Sequence, residues 1–176
     1  MKQAEGAVKK IRQYNLKPVF INCSKQETLI YNNYYLEQLA VLTNRKKKEP
    51  AAGQASAKRL TRNSKIIKTI IAAIQEKKGQ HIVSLDLRKI NEAVADFFII
   101  CEAGSHPQVR AIADHIQDQL ALYCDEKPYH HEGYHSLHWV LIDYVNVVVH
   151  VMHPESRKFY RLEEMWSDAS VLEHEE

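Results

Sequence analysis

From residue 64 onward, apolar positions recur at helical and extended spacings in turn. Ile66, Ile67, Ile70, Ile71 and Ile74 share one face of a helix over Ser64–Lys78, capped by Asn63 or Ser64 and stopped by Gly79. A strand is expected over His81–Leu87, with Val83, Leu85 and Leu87 on one side. Phe97-Phe98-Ile99-Ile100-Cys101 is an unbroken apolar run, the mark of a strand buried on both faces. Ala103-Gly104-Ser105 then turns the chain into a second helix, Gln108–Tyr123. Ser105 is its cap, Pro107 sits in its first turn, and Val109, Ile112, Ala113, Ile116, Leu120 and Tyr123 form its inner face.

The stretch Trp139–Trp166 carries two strand-like runs, Trp139–Ile142 and Val147–Met152, with Asp143–Asn146 reversing the chain between them. His153-Pro154 ends the second run, because proline has no N–H to donate and its fixed φ suits a first helical turn. Phe159, Leu162 and Trp166 then recur at helical spacing and are expected to fold back onto the sheet. With the His-rich stretch after Pro128 read as a strand or loop, the order helix–strand–strand–helix–strand–strand–strand–helix predicts an α/β fold, a small mixed β-sheet flanked by helices. The acidic end, Glu173 to Glu176, is expected to fray.

Residues 45–64, RKKKEPAAGQASAKRLTRNS, read as a linker: a basic run, then small and polar residues with nothing to bury. The organisation expected is a basic N-terminal extension and linker over 1–62, an α/β domain over 63–170 and an acidic tail. No apolar run nears the roughly 20 residues that span a bilayer. Cys23, Cys101 and Cys124 are scattered and form no Cys-x-x-Cys pair, which points to a reducing compartment and a cytoplasmic protein. The formal charge of +2 is unevenly divided: residues 1–62 carry 13 Lys+Arg against 4 Asp+Glu (+9), and residues 63–176 carry 11 against 18 (−7). An acidic folded half repels bare phosphate backbones and attracts basic partners.

Several motifs in one order resemble the ribosomal silencing factor family, also called Iojap-like. They are Ser84-Leu85-Asp86-Leu87-Arg88, Asp96 to Cys101, Gln108 to Asp114, Glu132-Gly133, Trp139 to Tyr144, Val147 to Met152, and Arg157-Lys158-Phe159-Tyr160 with Leu162-Glu163 and Trp166. The resemblance covers about Ile66 to Ala169 and leaves the first 60 residues outside. Ala103-Gly104-Ser105 stands where the family commonly has Gly-Thr-Ser. The resemblance implies a nucleotidyltransferase-like topology without its active site. It implies binding to the large ribosomal subunit through the ribosomal protein uL14, and repression of translation under nutrient limitation by steric block of subunit association. It implies no enzyme activity and no cofactor.

The partner-binding residues expected on this reading are Trp139, Tyr144, Asp143, Glu132 and Met152. Trp139, beginning a strand after a polar stretch, is expected to be half exposed; its truncation to alanine is then expected to weaken ribosome binding and spare the fold. Core burial is the alternative for Trp139, an Asx turn for Asp143 and a sheet-edge cover for Tyr144. His150 and Met152 alternate with Val149 and Val151, so one pair faces the core; the pattern does not say which. A homodimer stays open.

The histidines His130, His131, His135 and His138 match no zinc spacing, and Pro128 and Gly133 argue against the helix such a site needs, so no metal is expected. A nucleotidyltransferase would need carboxylates for magnesium beside Gly104-Ser105, and no Asp-x-Asp occurs in the chain. A nucleotidyltransferase-like enzyme and an RNA binder led by the basic tail Arg45–Arg62 are the competing readings.

Overall fold

The computed structural model describes residues 60–90 and 93–175. Expectations for residues 1–59, most of the linker among them, lie outside the described residues. In chain order the elements are α1 (Lys65–Glu76), β1 (Gln80–Asp86), β2 (Phe97–Glu102), α2 (His106–Cys124), β3 (His130–Glu132), β4 (Trp139–Asp143), β5 (Val147–Met152), α3 (Pro154–Tyr160), α4 (Leu162–Met165) and β6 (Ser170–His174). The strands form one mixed sheet in the order β3-β4-β5-β2-β1-β6. Among the described strands only β2 and β5 run parallel, Phe97 opposite Val147 through Glu102 opposite Met152. The crossover between them contains α2, as a parallel connection requires.

Side chains alternate across the strands, so each strand offers one set to each face. Val140, Ile142, Val147, Val149, Val151, Phe97, Ile99 and Cys101 join the buried cluster that includes Ile67, Ile70 and Ile74 of α1 and Val109, Ile112, Ile116 and Leu120 of α2. The other set includes Trp139, Phe98, His150 and Met152, and α3–α4 fold back over part of it. Tyr160 packs on Trp139 at 4.9 Å between ring centroids, and Trp166 meets Phe98 nearly edge-on at 5.6 Å. Val149 and Val151 thus face the helix layer, His150 and Met152 the opposite side, and every β5 residue is buried. That double burial is why β2 and β5 read as continuous apolar runs.

Arg157 ties α3 to the sheet. Its Nη1 donates to the His81 carbonyl at 2.7 Å, its Nη2 lies 2.7 Å from Glu163, and Glu102 stands 3.4 Å away. The helix expected as one piece breaks in two at Arg161, which takes the left-handed conformation (φ 49°).

Three further expectations are corrected. The acidic end is held in the sheet as far as His174 rather than frayed from Glu173: β6 pairs antiparallel with β1, Ile82 opposite His174 through Asp86 opposite Ser170. Arg62 also donates to the Ser170 carbonyl at 2.9 Å, and His174 lies 3.0 Å from the Ser84 hydroxyl. Charge at such a position suits a sheet edge. Tyr123 does not line the inner face of α2; it is 55 % exposed, and Cys124, four residues after Leu120, packs against the core instead. The first helix ends at Glu76, short of the Lys78 expected, and the chain leaves it through Lys78 in the left-handed conformation (φ 56°) before Gly79 is reached.

Gly79 is required for space rather than for conformation. A Cβ there would lie 2.4 Å from Ile74 Cγ2 and 3.2 Å from Ile112 Cδ1, inside the α1–α2 contact. Gly79→Ala is therefore expected to cost about 2 kcal/mol through overpacking, read as a lower urea midpoint with an unchanged slope. At the start of α2, Ser105 is the cap expected, its hydroxyl accepting from the Gln108 N–H at 3.4 Å, with Pro107 in the first turn.

Candidate functional site

Two places in the domain concentrate polar groups on rigid elements: the β3–β4–β5 side of the sheet, and the ends of β2 and β5 where α2 and α3 begin.

On the first, β3 is the edge strand, with His130 opposite Asp143 and Glu132 opposite Leu141. Glu132 is the most accessible of the five residues proposed from sequence, its side chain 42 % exposed, and it pairs with His130 at 2.8 Å. The other four are enclosed. Trp139 is only 2 % exposed and its indole Nε1–H donates to His150 Nδ1 at 3.2 Å. The half-exposed indole expected from its position after a polar stretch is corrected, because α3 returns Tyr160 to cover it. Asp143, 1 % exposed, accepts from the Val145 N–H at 2.7 Å, the Asx turn that was the alternative reading. Val145 takes φ 72° at the turn, and the Tyr144 N–H donates to the Val147 carbonyl at 2.8 Å, closing the hairpin.

Tyr144 belongs to the buried cluster of the helix layer; its hydroxyl has no hydrogen-bond partner among the described residues, and burial holds the phenol well above its usual pKa. Met152 is fully buried opposite Trp139. The structure therefore brings Trp139 and Met152 together at one end of β4–β5, and Tyr144 and Asp143 together at the hairpin tip. Glu132 stands apart on β3.

His150 completes the Trp139 end. The indole can only donate, so Nδ1 of His150 must accept and the ring proton resides on Nε2. Nε2 finds no partner among the described residues. Full burial lowers the imidazole pKa to about 3, so the ring stays neutral.

At the second place His106, His138 and His153 pack together, with centroid separations of 4.4, 5.3 and 6.3 Å, and His106 Nε2 lies 3.2 Å from His138 Nδ1. Burial, then the neighbouring His106 and His153, lowers the His138 pKa. No single motif announces this cluster, because His106 begins α2, His138 precedes β4 and His153 is the N-cap of α3. Among the described residues no group of three or more His, Cys, Asp or Glu side chains is placed to hold a metal ion.

The adjoining Gly104-Ser105 turn is occupied by its own chain. The Gly104 N–H donates to Gln108 Oε1 at 2.9 Å, and the Ser105 hydroxyl takes the Gln108 N–H. Gln108 Nε2 in turn donates to the Lys78 carbonyl at 2.9 Å. A phosphate would have to displace this network to reach the turn's donors. Asp114 lies exposed on α2, not at a strand end. Cys101 is buried in β2, where desolvation pushes its thiol up to about 12 and away from nucleophilic use. No described helix is long and apolar enough to cross a membrane.

Comparison with known proteins matches the folded domain from end to end. The family model described as ribosomal silencing factor during starvation covers residues 60–176. Ribosomal silencing factor RsfS of Bacillus subtilis is 40 % identical over 111 residues, 61 % of this chain and 90 % of the relative. RsfS of Halalkalibacterium halodurans is 38 % identical over 113 residues, 64 % of this chain and 95 % of the relative. The chloroplastic protein Iojap of Arabidopsis thaliana is 38 % identical over 80 residues, 44 % of this chain and 32 % of that longer protein. A crystal structure from Bacillus halodurans superposes with a TM-score of 0.55 at 35 % identity, covering 64 % of this chain and all of that one. With the family's model spanning the sheet and every helix described, the chain belongs to the ribosomal silencing factor family.

Proposed function

We propose that this chain binds the large ribosomal subunit through the ribosomal protein uL14 and blocks association of the small subunit by occupying that surface. Translation is repressed in this way when nutrients are scarce, and the protein works in the cytoplasm without catalysis. The observation that carries the reading is the family match over the whole α/β domain. Electrostatics supports it, because the chain beyond α1 is strongly acidic: residues 79–176 hold 7 Lys+Arg and 17 Asp+Glu, a net −10. Ribosomal proteins are usually basic, and opposite potentials speed and orient docking.

The partner surface is assigned to the β3–β4–β5 side of the sheet. Glu132 offers the accessible carboxylate, Tyr144 and Asp143 set the hairpin tip, and Trp139 and Met152 hold the strand ends from within. A Gly104-Ser105 turn already bonded by Gln108 supports steric action over nucleotidyl transfer.

Subunit joining followed by gradient sedimentation tests the reading. The purified chain is expected to shift joined particles to free subunits and to co-sediment with the large one. Glu132→Lys is expected to raise the half-blocking concentration about 5-fold, the effect of losing about 1 kcal/mol at an exposed charge contact. Undiminished joining at saturating protein, or recovery of the chain on joined ribosomes, would refute the proposal.

A further inference from the structure

Charge in this chain is segregated between elements rather than spread over the surface. Lys65, Lys68, Lys77 and Lys78 lie on α1 or directly after it, and the helix holds a single carboxylate, Glu76, bonded to His115 of α2 at 2.6 Å. Residues 45–78 carry 11 Lys+Arg and 2 Asp+Glu (+9), against the −10 of residues 79–176. A basic approach thus continues in sequence onto the first helix of an otherwise acidic domain.

Between α1 and α2 runs an open groove whose lining includes Lys65, Lys68, Ala72, Gln119 and Tyr123, and also Glu76, whose carboxylate is engaged by His115 of α2. Lys65 and Lys68 are three apart on the helix, so their Cβ atoms stand about 5–6 Å from each other on one face. Both are exposed, and neither forms an ion pair among the described residues. Tyr123 presents a flat ring to solvent at a position where the periodicity of α2 would have buried it. Thr69 and Ala72, both small, line the same groove as that ring. Two ammonium groups next to an aromatic face supply what a nucleotide strand uses: cations for phosphates and a platform for a base.

We propose that the α1–α2 groove binds single-stranded RNA, with Lys65 and Lys68 meeting backbone phosphates and a base stacking on Tyr123. An acidic peptide would satisfy the lysines but leave the exposed ring without a role. The surface does not rest on the uL14 reading, since it involves neither β3 nor the hairpin.

Fluorescence anisotropy of the full chain with a labelled 12-nucleotide uridine-rich RNA, titrated between 50 and 200 mM salt, tests the assignment. Binding is expected to weaken with salt, and Lys65→Gln/Lys68→Gln to lower the log–log salt slope by about 1.4, that is about 0.7 for each phosphate contact on a single strand. Tyr123→Ser is expected to weaken binding about 5- to 100-fold and leave the slope unchanged. All three side chains are accessible, and circular dichroism of the variants confirms that the fold is kept. Absence of RNA binding by the unaltered chain overturns the proposal. So does unchanged binding by both variants, which would transfer the contact to residues 1–62. Competition by polyglutamate as effective as that by RNA, with Tyr123→Ser silent, would leave only a general polyanion surface. None of these outcomes alters the subunit-joining result, so the two proposals fail separately.

Discussion

Trp139→Ala is expected to lower the stability of the folded domain by about 3–5 kcal/mol, the range for emptying a large buried aromatic site. Three losses coincide. The indole is enclosed, so its removal leaves a cavity between the sheet and α3. Its contact with the Tyr160 ring disappears, which loosens the return of α3 onto β4. The Nδ1 acceptor of His150 loses its N–H donor inside a fully buried pocket, where an unmade hydrogen bond costs more than a made one contributes. A residue so placed does not report binding cleanly, because a large-subunit pull-down with the alanine variant would register unfolding as lost affinity. Trp139→Phe retains most of the packing and forfeits the hydrogen bond, so its expected cost is smaller, about 1–3 kcal/mol. Urea denaturation followed by far-ultraviolet circular dichroism gives both values, and binding is then compared only where both variants are folded. A Trp139→Ala stability within 1 kcal/mol of the parent would show that the indole is not a structural keystone.

The same residue shows where sequence reasoning reaches its limit. The positions of β1, β2, α1, α2 and the β4–β5 hairpin follow from periodicity and turn chemistry, because each element's own spacing records the face it buries. Exposure at an element's start is different, since it depends on what returns from elsewhere in the chain. The polar residues before Trp139 suggested a strand emerging at the surface; α3, more than a dozen residues later, closes over it. Acidic composition hid β6, whose pairing is made by backbone groups and by Arg62, Ser84 and His174. At the end of α2 the apolar series continues at Cys124 by a step of four rather than at Tyr123 by a step of three, and both steps are legitimate on a helix. The His106–His138–His153 cluster has no linear signature, being assembled by the convergence of β2, β4 and β5 ends. Asp143, by contrast, was half legible: an aspartate two residues before a positive-φ position is the ordinary Asx arrangement.

Acid is expected to destabilise the domain well before its carboxylates are neutralised, and His150 is the reason. Burial lowers its folded-state pKa to about 3, whereas in the unfolded chain the ring titrates near its ordinary value of 6.5. Below pH 6.5 the unfolded state takes up a proton that the native state refuses, so the equilibrium moves toward unfolding. The contribution is undiminished above pH 6.5 and falls by about 1.4 kcal/mol per pH unit, levelling off as pH passes the folded-state value. From pH 6.5 to 5 the expected loss from this residue alone is about 2 kcal/mol. His138 and His174, whose pKa values burial also lowers, add to the same slope with the same sign. Asp86 belongs to a lower range: its hydrogen bond from Arg88 depresses the carboxyl, so its contribution is lost only as pH falls below ordinary carboxylate values. His150→Gln separates the residue from its neighbours, since the amide oxygen can still accept from the Trp139 indole and the side chain does not titrate. Its stability between pH 6.5 and 5 is expected to decline by about 2 kcal/mol less than that of the parent, even if it starts lower. In the parent, the ring signals of His150 in a nuclear magnetic resonance titration should stay unmoved down to pH 4. A glutamine variant with the parent's slope, or a His150 ring that titrates near pH 6, would mean that the pocket admits water and that the ring is not the sealed acceptor this geometry makes it.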